Sequence, residues 1–265
     1  MEHRARFYDG VGVVRDMFQN HLLQLMTLVA MEPPASFEAT ALRNEKVKVL
    51  GSIRPMKAEA VIQNTVRAQY KGYREEAGVH AESTTPTYAA LKLQIDNWRW
   101  QGVLFYLRSG KKLKQKLSQI TIEFKEPPHL LFPTKNGRLT PNMLVLYLQP
   151  DEGVHWRFEA KVPDTIADMR SVDMEFHYAD SFATTAIPES YERLLLDTLT
   201  GDASLFTRED EVETAWSLID PILEGWEATK QPIAFYDPDS WGPSEADELL
   251  ARDGRKWSRW DGRKV

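Results

Sequence analysis

The stretch that decides the fold is Tyr88-Ala-Ala-Leu-Lys-Leu-Gln-Ile95-Asp-Asn-Trp-Arg-Trp-Gln-Gly102-Val-Leu-Phe-Tyr-Leu107. Tyr88–Ile95 and Val103–Leu107 are apolar runs of strand composition, and the link Asp96–Gly102 is a turn loaded with indoles. A parallel pair would need a crossover of about a dozen residues or more, so a link of this length predicts antiparallel pairing. Upstream, Thr65–Tyr70 shows partial alternation, and Gly72 to Pro86 reads as a loop or hairpin excursion. Downstream, Ser118–Lys125 alternates cleanly until Pro127-Pro128 ends it. Met143–Leu148 and His155–Lys161 read as strands around a Pro150-Asp-Glu-Gly153 turn, and Val172–Tyr178 as one more.

Helical patterns flank this block on both sides. The first runs to about Met31, where Pro33-Pro34 stops it. A second is expected from Ser36, as N-cap, to Leu50, closed by Gly51 and Pro55. The texture turns to strand from about Val61. After the strands, Pro188 opens a helix that Gly201 ends, and Thr207 caps another running to about Trp226 with Pro221 bending it. The acids Glu209 to Glu213 at its start are expected to complement the helix dipole. The tail with Trp241, Trp257 and Trp260 is aromatic but not periodic. Helices, then consecutive strands, then helices predict an α+β fold: one domain over 1–265, built on a large, mainly antiparallel sheet with helices packed on one face.

The 265 residues are 42% hydrophobic, enough for a full core, and the net charge is −6. An acidic chain argues against a general nucleic-acid binder, which needs a basic surface to displace counterions. The absence of cysteine removes disulfides, thiolate metal sites and thiol nucleophiles, and fits a reducing cytoplasm. No apolar run is long enough to span a membrane, and no secretory leader is read at the start, so a cytoplasmic protein without membrane contact is expected. Neither a Gly-x-Gly-x-x-Gly loop nor a Gly-x-x-x-x-Gly-Lys-Ser/Thr loop occurs. The six histidines are scattered, so no metal site is expected.

Arg15-Asp-Met-Phe-Gln-Asn-His21-Leu-Leu-Gln-Leu-Met26 carries the chemistry. At about 100° per residue it is apolar almost all round, yet Asp16, Gln19, Asn20, His21 and Gln24 crowd its first turns. His21 falls between Leu25 and Leu28 on that wheel and is expected to be sheltered. A sheltered imidazole is either a core histidine bonded to a neighbour or part of a site. The lysines at 111, 112, 114 and 116 read alone as a solvated basic strand edge. Lys111 and Lys116 would face opposite sides of a regular strand, so a bend near Gly110 is required before both can serve one ligand.

Taken in order, these blocks resemble the C-terminal domain of glucose-6-phosphate dehydrogenase, nearly end to end. The resemblance rests on Phe7-Tyr-Asp9, Arg15 to Gln24, Val29-Ala-Met-Glu-Pro-Pro34 and Leu91 to Gly102. It continues through Tyr106 to Leu113, Tyr191 to Asp197, Asp210-Glu-Val-Glu213 with Ala215-Trp216, and Trp241-Gly-Pro243. It implies an NADP-linked dehydrogenase of the pentose phosphate pathway that oxidises C1 of glucose 6-phosphate to the lactone. His21 matches the family's general base, Asp16 a substrate aspartate, Lys111 and Lys116 substrate lysines, and Gln149 a further polar pocket residue. The tryptophans at 98, 100 and 216 are expected in core or interface. NADP belongs to the family's Rossmann domain, whose glycine-rich loop is not found on these residues. No coenzyme contact is therefore expected on this chain. The second, structural NADP of some members is not expected either, because His155 and Arg157 stand where other groups are used. The resemblance implies a homodimer through the sheet, and a half-site inactive alone. A non-catalytic sugar-phosphate-binding or oligomerisation protein derived from the domain is the competing expectation.

Overall fold

The computed structural model describes residues 4–127, 129, 139–166, 168–182, 190–230 and 232–259. The expectations placed on Pro128, Pro188 and Trp260 lie outside the described residues. The chain forms two compact units, one of residues 1–114 with 190–257 and one of residues 115–189 with 258–265.

The first unit begins with α1 (Ala5–Val13), a π-helical segment (Val14–Leu22) and α2 (Leu23–Ala30). Gly12 sits at φ 71° inside this run, a conformation costly for a residue with a side chain. A Cβ there would also stand 3.3 Å from Thr85 Cγ2, and the next residue, Val13, donates its N–H to Pro86 O at 3.0 Å. Asp9 anchors the same loop, accepting from Tyr73 Oη (3.0 Å) and Ser83 Oγ, while Thr85 Oγ1 donates to its carbonyl at 2.6 Å. The expected excursion between Gly72 and Pro86 therefore serves as the seat of the N-terminal helix.

Next come α3 (Ala39–Gly51) and α4 (Ala58–Asn64). α3 starts two residues later than the Ser36 cap predicts, with Glu38 at its N-cap position. The change to strand comes at Thr65 rather than Val61, because Ala58–Asn64 is helical and Val61 packs into the core. β1 (Thr65–Tyr70), β2 (Tyr88–Gln94) and β3 (Leu104–Gly110) pair antiparallel, as the link between β2 and β3 requires. α6 (Ser190–Thr200) and α7 (Glu209–Ala228, with Pro221 inside it) follow, and β8 (Ala234–Tyr236) joins β1 in parallel. The aromatic tail contributes α8 (Ser244–Ala251), whose Ala246, Leu249 and Leu250 enter the core. β1 and β2 are buried at nearly every position, so the sheet order β3-β2-β1-β8 forms the middle of this core.

α7 presents Glu211, Ala215, Leu218, Ile219 and Ile222 to the interior, the stripe expected at helical spacing. Glu211 thus lies on the apolar face as well as in the acidic first turn of the helix. Its carboxylate pairs with Lys46 Nζ of α3 at 3.0 Å, with side chains 1% and 5% exposed. Further along, a Cβ on Gly225 would lie 2.8 Å from Val61 Cγ2, which is how closely α7 approaches α4. Trp226 Nε1 donates to Thr65 Oγ1 at 2.7 Å. Trp100 is partly buried and donates to Ala30 O at 2.8 Å, whereas Trp98 is fully exposed.

The second unit holds β4 (Ser118–Glu123), β5 (Met143–Gln149), β6 (Gly153–Lys161) and β7 (Met169–His177), with the single turn α5 (Tyr178–Ser181). These strands form an antiparallel four-stranded sheet in the order β4-β5-β6-β7. The α+β class and antiparallel pairing are as expected, and the strands are shared between two four-stranded sheets. Ile122, Leu144, Trp156 and Met174 lie opposite one another across the second sheet, as do Ile120, Leu146, Val154 and Phe176 two residues away. Both rows occupy one face, because side chains alternate along a strand. Val145, Tyr147, His155 and His177 occupy the other and are buried.

Burial alone would raise the Asp9 carboxyl, yet hydrogen bonds from Ser83, the His80 backbone and Tyr73 hold it below the ordinary carboxylate range. Such a group adds stability that is complete above its unfolded pKa of about 3.9 and is lost as pH falls through its lower folded value. Asp9→Asn is expected to cost about 1 kcal/mol near neutrality. Urea unfolding curves should show the gap from wild type closing below about pH 4.

Candidate functional site

The π-helical segment decides where the polar groups of 15–24 point. Its N–H groups bond to carbonyls five residues back, and the last such bond runs from Leu23 N–H to Phe18 O. In an α-helix, residues five apart differ by about 140° around the axis. With the five-residue ladder, Asp16 and His21 instead occupy successive turns on one side. The wheel reading fails here for that reason. His21 is exposed rather than sheltered, and so is Asn20, while Val14, Phe18 and Leu23 take the core positions. Leu28, one of its expected neighbours, is itself 49% exposed.

β3 packs against this segment and delivers Lys111 just past its end. The Lys111 backbone is held on both sides: its N–H donates to Thr87 O at 2.9 Å, and its carbonyl accepts from Tyr236 Oη at 2.7 Å. Its ammonium lies 2.9 Å from Asp16 Oδ2 and 4.9 Å from the centre of the Tyr8 ring. Lys111 and Asp16 are each about one-third exposed, so the pair can be reached from solvent. Burial first, and then the negative charge of Asp16, push the Tyr8 hydroxyl far above its ordinary value. It stays a neutral phenol beside an ion pair.

The bend required near Gly110 is present, but it falls at Lys112, whose φ is 49°. Gly110 is needed for a different reason: a Cβ there would stand 2.5 Å from Tyr88 Cδ2. A Cβ on Gly242, which is at φ 106°, would come within 2.7 Å of the same ring. The turn sends Lys112 away from Lys111, to Glu76 Oε1 at 2.6 Å, with its ammonium 4.7 Å from the Tyr70 ring centre. Hydrogen bonds from Lys112 and Tyr70 hold the Glu76 carboxyl below its ordinary value. Asp239 N–H caps the Lys112 carbonyl at 2.9 Å, and Lys114 N–H donates to Ser240 O at 2.8 Å.

Lys116 and Gln149 belong to the second unit and come to the same end of one hairpin. Ser118, the first residue of β4, pairs with Gln149, the last of β5, and Lys116 lies two residues before it. Both side chains are exposed. The turn after Gln149 is closed by Tyr178 N–H to Glu152 O at 3.0 Å and by His177 Nδ1, 3.0 Å from Asp151 Oδ2. The His177 ring stacks on Tyr147 with centroids 6.1 Å apart. His155 Nε2 and Arg157 Nε both lie 2.8 Å from Asp173 Oδ1. Hydrogen bonds, that from Arg157 foremost, keep the Asp173 carboxyl low. Among the described residues, no group of three or more His, Asp and Glu side chains could hold a metal ion.

The structure thus pairs Lys111 with Asp16, which lies on the segment that also carries His21, and places Lys116 and Gln149 in the second unit. Tyr8, which lines the Lys111–Asp16 pair, was not among the residues singled out, although it lies inside the Phe7-Tyr-Asp9 block. Glu211 and Lys46 were also passed over. Their signal was available: each is a charge at helical spacing from core residues, Glu211 with Ala215 and Leu218, Lys46 with Val49 and Leu50.

Residues 1–258 match the family described as "Glucose-6-phosphate dehydrogenase, C-terminal domain". The chain is 46% identical over 271 residues to "Glucose-6-phosphate 1-dehydrogenase" of Rhizobium meliloti, covering 97% of this chain and 54% of that protein. It resembles the crystal structure of glucose-6-phosphate 1-dehydrogenase from Mycobacterium avium with a TM-score of 0.84 and 38% identity, covering 99% of this chain and 54% of the other. A structure titled "Glucose-6-phosphate dehydrogenase in complex with its substrate glucose-6-phosphate" matches with a TM-score of 0.87 and 33% identity, covering 97% and 54%. The chain spans about half the length of the relatives it matches.

The two ion pairs of the first unit should differ sharply in their contribution to stability. Asp16→Asn, in a partly exposed pair, is expected to change unfolding free energy by no more than about 1 kcal/mol. Lys46→Ala strands a buried carboxylate and should cost about 3–5 kcal/mol. Denaturant titration of both variants checks the contrast.

Proposed function

This chain belongs to the glucose-6-phosphate dehydrogenase C-terminal domain family, and from that premise we propose that it carries half of a glucose 6-phosphate oxidation site. His21 is the general base that takes the proton of the C1 hydroxyl. Its exposed imidazole can be reached by a sugar hydroxyl, as a general base must be. Asp16 accepts a hydrogen bond from a sugar hydroxyl, and Lys111 places a point charge beside the sugar or its phosphate. By the same resemblance, Lys116 and Gln149, which belong to the second unit, are assigned as substrate residues. The observation that supports this reading is the meeting of Asp16 and Lys111, far apart in sequence, at 2.9 Å on the π-helical segment that also carries the exposed His21.

NADP is the coenzyme the family implies. The chain has no glycine-rich loop to cradle a dinucleotide, so its residues do not fit that group, and no step on this chain is routed through it. The chemistry assigned to these residues ends at the proton held by His21 and at the orientation of the sugar. A bound sugar also requires Lys111 to exchange part of its contact with Asp16 for the ligand. The exposure of the pair permits that exchange.

Self-association through the second sheet belongs to the same proposal. Its apolar face leaves Met174 63% and Phe176 38% exposed, with Trp156 and Leu144 in the same row as Met174. A second copy covering that face would remove the exposed edge of an apolar surface from water. No helix among the described residues is long and apolar enough to cross a membrane, and the proposed setting is the cytoplasm.

Calorimetric titration of the chain with glucose 6-phosphate, with NADP as control, tests the half-site directly. Sugar-phosphate binding that is weakened by Lys111→Ala is expected, with no NADP binding. In an enzyme completed by a coenzyme-binding half, His21→Asn should lower kcat by about two to four orders of magnitude with little change in folding. Lys116→Ala should act mainly by raising KM for glucose 6-phosphate. Near-normal turnover of the His21 variant would refute the base assignment. Sedimentation at micromolar concentration should give twice the chain mass.

A further inference from the structure

π-helical turns usually occur singly inside α-helices, yet here a segment of nine residues, Val14–Leu22, keeps the wider register between two α-helices. The same backbone could return to the α register by moving each hydrogen bond from the fifth to the fourth residue back. That change would carry His21 away from the side occupied by Asp16. Something outside the segment must therefore select the register.

At the N-terminal end the selection is made by Gly12 and its bonded neighbour Val13, described above. At the C-terminal end, Leu23 closes the ladder on Phe18, and the α register resumes from there. The first side chain beyond that junction is Gln24, and its amide donates to Glu211 Oε1 on α7. That carboxylate is nearly inaccessible and balanced by the equally buried Lys46 on α3.

Charge burial makes this a poor device for stability alone. Apolar side chains of similar volume hold two helices together at least as well as a buried ion pair does. What apolar contact does poorly is to fix a rotation, because methyl groups pack acceptably through a range of angles. A hydrogen bond to a fixed carboxylate oxygen does not tolerate such rotation.

We infer that Lys46, Glu211 and Gln24 form a register lock that holds the π-to-α junction, and are positioning residues for His21. Lys46 holds the Glu211 side chain in place at 3.0 Å, Glu211 fixes the Gln24 amide, and Gln24 fixes the phase of the helix at the residue after Leu23. This rests on the functional reading only in naming His21 and Asp16 as the groups positioned.

The test uses Gln24→Leu, which removes the donor but leaves the ion pair intact, and the double variant Lys46→Met, Glu211→Leu, which replaces the pair by apolar groups. Crystal structures of both, or nuclear Overhauser patterns over 14–24, read the register directly. Both variants are expected to fold cooperatively and to show four-residue hydrogen bonds, or a mixture of registers, within 14–22. A folded Gln24→Leu protein that keeps the full π register overturns the inference. So does a Gln24→Leu protein that does not fold, since the bond would then serve stability. In an enzyme completed by a coenzyme-binding half, Gln24→Leu should lower kcat at least tenfold with KM for glucose 6-phosphate changed less than threefold. A shifted register with unchanged kcat would leave the lock standing and overturn the role given to His21, so the two failures are distinguishable.

Discussion

Backbone hydrogen bonds that reach five residues back set the angular position of every side chain from Val14 to Leu22. Val14 and Phe18 are turned inward by this ladder, and His21 outward on the side of Asp16. A wide turn is held only where its ends are held. Gly12 supplies the break at one end, and loop 72–86 closes on it through Asp9, Thr85 and Pro86. At the other end, α7 brings a buried carboxylate to Gln24. Distant parts of the chain thus converge on one short segment.

The lysine-bearing loop after β3 shows the same economy of placement. Lys111 and Lys112 are adjacent, yet they serve opposite sides because Lys112 adopts a left-handed conformation. A glycine on each side of Tyr88 lets the ring sit where any Cβ would collide. Tyr236 bonds to the Lys111 carbonyl, and the ammonium lies between the Tyr8 ring and Asp16. An ion pair in that setting contributes little stability. What it supplies is a charge in a defined place, open to solvent.

In the second unit the division of labour follows the pleat. One face of the sheet carries two apolar rows, while the other buries His155, His177 and Tyr147. Ladder pairing brings Gln149 and Lys116 to one hairpin end without any contact between their side chains being required.

Much of this was legible in the residues. The short link between Ile95 and Val103 leaves only antiparallel pairing, and the alternation of Ser118–Glu123 marks a strand that faces two environments. A capping residue and a run of acids marked the start of α7, and family blocks picked out Asp16, His21 and Lys111. Local sequence was silent where the outcome depended on partners from elsewhere. The angle assumed for the 15–31 helix was the α value, since sequence periodicity does not reveal that Gly12 and Glu211 hold a wider turn. The bend was assigned to Gly110 because glycine is the permissive residue, whereas Tyr88 required that glycine and Lys112 took the bend. Strand pairing and the presence of the flanking helices follow from spacing and capping along the chain, and the sequence by itself determined those. The side of the helix that His21 presents, and the partner Lys111 meets, were decided only by tertiary structure, because they depend on hydrogen bonds and close contacts between residues up to nearly two hundred positions apart.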